Sequence, residues 1–230
     1  MKILLFFISV LLFVLRLGGQ ESFTKDIDSL YREDQFYIGV TYNLLENKPI
    51  DLSQSGFSFG FHMGFIRDMP INKNRNMAIG LGLGYSTNSF IQNLLIREDD
   101  LGMVSYSILD DTSTYSKNKF STHLIEIPLE FRWRTSTATD YNFWRIYTGF
   151  KVGYLISSKT KYTGDLGTLN FSDIDTFNKF QYGLTLSAGY STWNFYVFYT
   201  LNPIFTNDVR LNGSDLNMNT VNMGLIFYIL

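Results

Sequence analysis

The sequence predicts an all-β fold: an eight-stranded antiparallel transmembrane β-barrel of the up-and-down type, apolar outside and polar within. Three observations predict it. Apolar and polar residues alternate with a period of two along eight separate runs. The connections between runs alternate between long and short. A short apolar leader stands ahead of all of them. Successive side chains of a strand point to opposite faces, so a period of two marks a strand and excludes a helix.

The clearest run is Phe57–Phe65. Phe57, Phe59, Phe61, Met63 and Phe65 share one face; Ser58, Gly60, His62 and Gly64 share the other. The run Met77–Ser86 repeats the pattern, with Met77, Ile79, Leu81, Leu83 and Tyr85 opposite Ala78, Gly80, Gly82, Gly84 and Ser86. Gln35–Leu44 precedes these two. After them come Ser121–Arg134, Trp144–Ser157, Lys179–Ser191, Asn194–Asn202 and Asn217–Leu230, each with an apolar row. Most reach the roughly 9–11 residues that a tilted strand needs to cross a bilayer, whereas strands of soluble domains average about 5–6. Single-chain bacterial barrels have an even number of strands, and eight fits.

The gaps after the first, third, fifth and seventh runs are Leu45–Ser55, Thr87–Phe120, Ser158–Asn178 and Pro203–Leu216. Those after the second, fourth and sixth are shorter: Ile66–Asn76, Thr135–Phe143 and Thr192–Trp193. Bacterial barrels carry long extracellular loops and short periplasmic turns, which sets both termini in the periplasm. The Thr87–Phe120 gap is long enough to extend its flanking strands above the membrane. Pro128 lacks a ladder donor and predicts a bulge or break inside its strand.

The leader is Met1-Lys2, an apolar run Ile3–Leu15, then Arg16-Leu17-Gly18-Gly19. As a helix the apolar run rises only about 20 Å, short of a hydrocarbon core of roughly 30 Å. It reads as a secretory signal peptide over residues 1–19, cleaved near Gly19–Gln20. A polar periplasmic lead follows over 20–34, and the barrel domain occupies 35–230. Loss of Lys2 and Arg16, with no acid lost, moves the formal net charge from −2 to −4. No basic tract suggests nucleic acid. Cysteine is absent, which excludes a disulfide scaffold, a thiolate metal site and a cysteine-anchored lipoprotein. Hydrophobic residues make up 45% of the chain, 17% being aromatic, yet the mean hydropathy is −0.01. Interleaved polarity gives that balance.

The apolar rows decide which way the barrel faces. Five or more bulky side chains per row do not fit together inside eight strands, whereas glycines and small polar groups do. The apolar rows therefore face lipid. Trp133, Trp144 and Trp193 all fall at the short-connection rim, with Tyr190 and Phe195 beside the last. They read as an aromatic girdle at the membrane–water interface.

The inward faces carry Glu126, Glu130, Arg132 and Arg134 on one strand and Arg145 and Lys151 on the next; His62 also points inward. This polar cluster reads as a salt-bridged interior plug, structural in role, since such groups cannot face lipid. The alternative is an ion or small-ligand path. His62 and His123 are isolated and make no metal site. Ser58, Ser86, Asp110, Asp111 and Asp208 are not ordered into a catalytic constellation with them. No enzyme, cofactor or metal is expected. The expected partners are outer-membrane lipids and the outer-membrane assembly machinery, which reads a terminal strand such as Val221–Leu230.

The segment His123-Leu124-Ile125-Glu126-Ile127-Pro128-Leu129-Glu130-Phe131-Arg132-Trp133, followed by Tyr147-Thr148-Gly149-Phe150-Lys151-Val152-Gly153-Tyr154-Leu155, resembles the PorT family of eight-stranded outer-membrane barrels. Gly183–Gly189 and Phe195–Pro203 extend the resemblance, which covers about residues 35–230. It implies a Gram-negative outer-membrane barrel without enzymatic chemistry, and secretion-system proteins of type IX as partners.

Overall fold

The computed structural model describes residues 33–110, 112–135 and 143–229. The signal peptide, most of the polar lead, Asp111 and the terminal Leu230 lie outside them. Within them the chain forms thirteen strands: β1 (Gln35–Glu46), β2 (Phe59–Pro70), β3 (Met77–Ile91), β4 (Leu94–Glu98), β5 (Val104–Ile108), β6 (Tyr115–Arg134), β7 (Trp144–Gly164), β8 (Gly167–Ser172), β9 (Phe180–Tyr190), β10 (Trp193–Thr200), β11 (Arg210–Leu211), β12 (Ser214–Asp215) and β13 (Asn219–Ile229).

Eight of them close a ring of antiparallel neighbours in the order β1, β2, β3, β6, β7, β9, β10, β13, with β13 returning to β1. These eight are the predicted runs. Closure leaves no strand edge inside the bilayer, where an unpaired backbone group would cost several kcal/mol. The remaining strands lie in the long connections. β4 and β5 form a hairpin between β3 and β6, β11 and β12 a small one between β10 and β13, and β8 pairs with the upper part of β7.

The faces follow the alternation. Phe36, Leu83, Ile127, Leu184 and Phe195 are among the many large apolar side chains exposed outside, Phe36 and Leu83 at 61% each. The inward positions between them are buried. The lumen is less uniformly small and polar than expected. Tyr37, Ile66, Tyr147, Tyr196, Phe198, Ile226 and Tyr228 pack together inside it. Glycines across the barrel make the room. A Cβ at Gly64 would lie 2.6 Å from the Tyr37 hydroxyl, and one at Gly80 would lie 2.7 Å from Cδ of Arg132. The bare positions of β2 and β3 therefore receive large groups from β1 and β6.

Three of these strands run well past the ends that the alternation alone marks. β2 continues to Pro70, bringing Asp68 into the lumen, and β6 and β7 reach 20 and 21 residues. At about 3.3 Å per residue β7 spans roughly 69 Å, well over a hydrocarbon core of about 30 Å even when tilted. The upper ends of β3, β6, β7 and β8 thus stand above the apolar belt. Pro128 produces a gap and no bulge. Its position opposite Gly82 is missing from the β3–β6 ladder, but Leu81↔Leu129 and Gly84↔Glu126 keep one register across the gap, and Pro128 still faces Lys151 on β7. The register shifts elsewhere: once near the top of the ladder between Tyr115 and Lys117, and once between His123 and Leu124, where Ile156 is the extra residue of β7. Below it the even-numbered residues of β7 face outward; above it Ser158, Thr160 and Tyr162 face inward and Lys159 and Lys161 face outward. An extra residue shifts a strand's faces by one.

The mouth at the long-connection end is sealed by apolar packing. Leu52, Leu94, Ile96, Ile174, Phe177, Ile204, Phe205 and Leu216 from the connections rest on Leu45, Phe90, Phe120 and Met218 at the strand tops. Phe177 and Phe205 have ring centroids 4.8 Å apart, and Phe90 and Phe120 4.9 Å.

Candidate functional site: the filled lumen

The lumenal charges form two clusters at different depths. The first sits at the short-connection end. Asp68 of β2 is fully buried and accepts hydrogen bonds from both β6 arginines: Arg134 donates through Nη1 at 2.9 Å and Nη2 at 2.8 Å, and Arg132 through Nη1 at 2.9 Å. Alternation on β6 puts residues 130, 132 and 134 on one face; the ladder sets Asp68 opposite Gly80 and Gly80 opposite Glu130, and the bare Gly80 lets the Arg132 stem lie across it toward Asp68. Arg132 also donates to the Gln35 side-chain oxygen, and its guanidinium lies 4.1 Å from the Tyr147 ring centroid. Glu33 brings Oε1 to 3.7 Å from Nε of Arg134. Asp34 accepts the Asp68 backbone N–H at 2.8 Å. A planar guanidinium suits both the bidentate carboxylate and the stacking on a ring.

The second cluster lies deeper. Lys151 of β7 stands 2.9 Å from Oε1 of Glu126, to which Ser86 donates at 2.7 Å. Nδ1 of His62 is 3.9 Å from the other carboxylate oxygen. Its Nε2 donates to the Thr41 hydroxyl at 3.0 Å, since that hydroxyl's own proton goes to Asn43 at 2.9 Å. The Lys151 ammonium also lies 3.9 Å from the Phe198 ring centroid. Above this cluster Asn88 accepts from Asn43 at 3.2 Å and from Asn222 at 2.7 Å.

Of the predicted cluster, Glu126, Lys151 and His62 come together. Arg132 joins Asp68, with Glu130 at 3.7 Å from its Nε. Arg145 is buried apart from both, giving a hydrogen bond to the Ser191 carbonyl and lying 4.3 Å from the Phe143 ring centroid. Sequence reasoning missed Asp68, Glu33 and Gln35. The signal for Asp68 was present: it shares the parity of His62, three inward steps further along the same strand.

Two lumenal cavities of about 10 Å³ each flank the Glu126–Lys151 pair, each about one water in size. Larger hollows of about 200 to 650 Å³ lie on the outer surface of the long-connection end. Ser86 and His62 both meet the Glu126 carboxylate, with Ser86 fully buried and His62 2% exposed. A nucleophilic serine would need the histidine itself within hydrogen-bond reach and a path for substrate. His123, nearer the long-connection end, has Nδ1 2.6 Å from the Tyr85 hydroxyl. Among the described residues no group of three His, Cys, Asp or Glu could hold a metal ion.

At the short-connection rim Trp144 and Trp193 are exposed, Trp133 is half-buried, and Tyr190 is 5.4 Å from Trp144 between ring centroids. Trp193 meets Phe227 edge-on at 4.9 Å.

A closed ring of eight strands, apolar outside and packed with charges and aromatics inside, defines an integral membrane β-barrel. The chain belongs to the family described as outer membrane protein beta-barrel domain, whose model matches residues 19–210. No curated protein matches it. Among solved structures it is similar to Ail, the attachment invasion locus protein of Yersinia pestis. Identity is 12% over 87% of this chain and 100% of that one, with a TM-score of 0.32. Against Ail in complex with the heparin analogue sucrose octasulfate the values are 11%, 87%, 100% and 0.33.

Proposed function

We propose that this chain is a non-enzymatic structural or assembly component of the Gram-negative outer membrane, of the PorT kind that supports type IX secretion. Both termini lie in the periplasm and the long connections outside. The observation that carries this reading is the filled lumen. Cavities of about 10 Å³ and a sealed mouth leave no room for a solute to pass or bind, so the surfaces left for work are the rims, the connections and the lipid face. The buried Ser86–Glu126–His62 contacts support a role in filling the barrel rather than in turnover. The aromatic rim of Trp133, Trp144, Trp193 and Tyr190 supports an interfacial anchor at the periplasmic side. The assembly machinery and secretion-system proteins are the partners this reading requires.

The test is a deletion strain. Loss of type IX cargo from the medium, restored by the gene in trans, and copurification with secretion components is the expected result; undiminished secretion overturns the assignment. Orientation is tested separately. Because the chain has no cysteine, Asp99→Cys in the β4–β5 hairpin and Lys73→Cys in the β2–β3 turn report their own side. A membrane-impermeant maleimide on intact cells labels the first and spares the second.

A further inference from the structure

Above the apolar belt, β6 and β7 carry an outward row of lysines that no acid balances. Lys119 of β6 is directly opposite Lys161 of β7; Ser121 is opposite Lys159, and Lys117 opposite Thr163. On their other sides Lys119 faces Ile91, Lys159 faces Ser172 and Lys161 faces Asn170. Every cross-strand neighbour of the three is neutral or another lysine. Among the described residues no carboxylate lies within 4.0 Å of any of them. Asp173, next to Ser172 in the chain, directs Oδ1 at the Ser158 backbone N–H instead. Like charges placed directly opposite each other weaken a strand pair. Here the bulge at Ile156 creates the arrangement, since it turns Lys159 and Lys161 to the outside face.

The position of the row indicates what it meets. Ile125 on β6 and Ile156 on β7 are the uppermost exposed aliphatics of their outward rows. Lys159 and Lys161 are the next strongly exposed outward residues of β7 above Ile156. A hollow of about 200 Å³ is lined by Lys119, Ser121, Lys159, Lys161, Asn170 and Ser172, among others. Ammonium groups on long stems, with hydroxyl and amide donors between them, standing just beyond a hydrocarbon belt, suit phosphate groups on lipid heads. We propose that Lys119, Lys159 and Lys161 form a binding surface for the phosphorylated headgroups of membrane lipids at the long-connection side, with Lys117 above them.

The test uses the full mature chain refolded in zwitterionic detergent and titrated with diphosphoryl lipid A, with phosphatidylcholine and inorganic phosphate in parallel. Wild type binds lipid A saturably, while inorganic phosphate at the same concentration neither binds as tightly nor displaces it. Lys119→Gln with Lys161→Gln weakens binding about 25-fold, at roughly fivefold per lysine near a membrane surface. Arg at both positions preserves binding, and Lys48→Gln with Lys73→Gln leaves it unchanged. Heat-shifted electrophoretic mobility reports folding in each, and Lys159→Gln alone serves should the double variant not fold. Equal binding by the glutamine variant overturns the proposal, as does the absence of saturable lipid binding in wild type. Inorganic phosphate binding as tightly as the lipid overturns it too, reassigning the row to free anions.

Discussion

Replacing Asp68 with Asn would leave two buried guanidinium groups facing an uncharged amide, because Asp68 takes three of their hydrogen bonds. Removing one partner of a buried ion pair costs about 3–5 kcal/mol. The expected outcome is a urea unfolding midpoint lowered correspondingly in refolded barrel, with Arg134→Met restoring part of it in the double variant. The charged clusters were legible in the sequence through the parity of β6 and β7. Their division into two depths was not, since alternation gives a side chain's face but not its neighbours across the lumen. Asp68 itself fell in what read as a turn, because the Ile66–Asn76 stretch loses the bulky outward row that marked the rest of β2. A smaller residue-level prediction concerns Asp110, between β5 and β6. The Thr112 hydroxyl first, then the Ser113 hydroxyl and both backbone N–H groups, hold its carboxyl below the ordinary 3.8. A depressed carboxyl contributes order above its unfolded value and loses it as pH falls through the folded one. The protection of the Thr112 amide, measured against its intrinsic exchange rate at each pH, should therefore persist at neutral pH and be lost only below pH 3.8. In Asp110→Ala it should be lost at every pH.

At the scale of elements, the bulge in β7 gives an unusual expectation. Ile156 is the surplus residue of the β6–β7 register. Deleting it joins the two halves of the strand in one register and keeps Lys159 and Lys161 outside. Deleting Val152 instead would use up the surplus residue at the wrong place, forcing Tyr154 into the filled lumen and Gly153 and Leu155 onto the lipid face. The Ile156 deletion should retain heat-shifted mobility in gels and insertion into membranes, and the Val152 deletion should lose both. The eight barrel strands were readable because each crosses the bilayer between two contrasting solvents, which imposes strict alternation. The upper parts of β6 and β7 carry Asn118, Ser121, Ser157 and Thr163 outside or at the mouth, where water on one side removes that contrast. The apolar seal over the mouth was equally hidden. Leu52, Ile174, Phe177 and Phe205 are scattered singly through polar connections and become a core only when four connections converge.

For the whole molecule, the filled lumen predicts electrical silence. Reconstituted into planar bilayers, the barrel should give no steady conductance steps. Phe120→Ala with Phe205→Ala, which opens the seal, should remain silent because Glu126, Lys151, Arg132 and Tyr147 still occupy the bore below. Steps that vanish on replacing Glu126 or Arg132 would reverse this reading and make the barrel a channel. The Asp68 cluster also bears on how such a barrel enters a membrane. Its members come from β1, β2 and β6, together with Glu33 ahead of β1. Arg132 and Arg134 end β6 on either side of Trp133 at the short-connection rim, so a β6 that arrived before β1 and β2 would hold two uncompensated guanidinium ions there. Docking of the first two strands supplies their counter-charges and latches that rim shut.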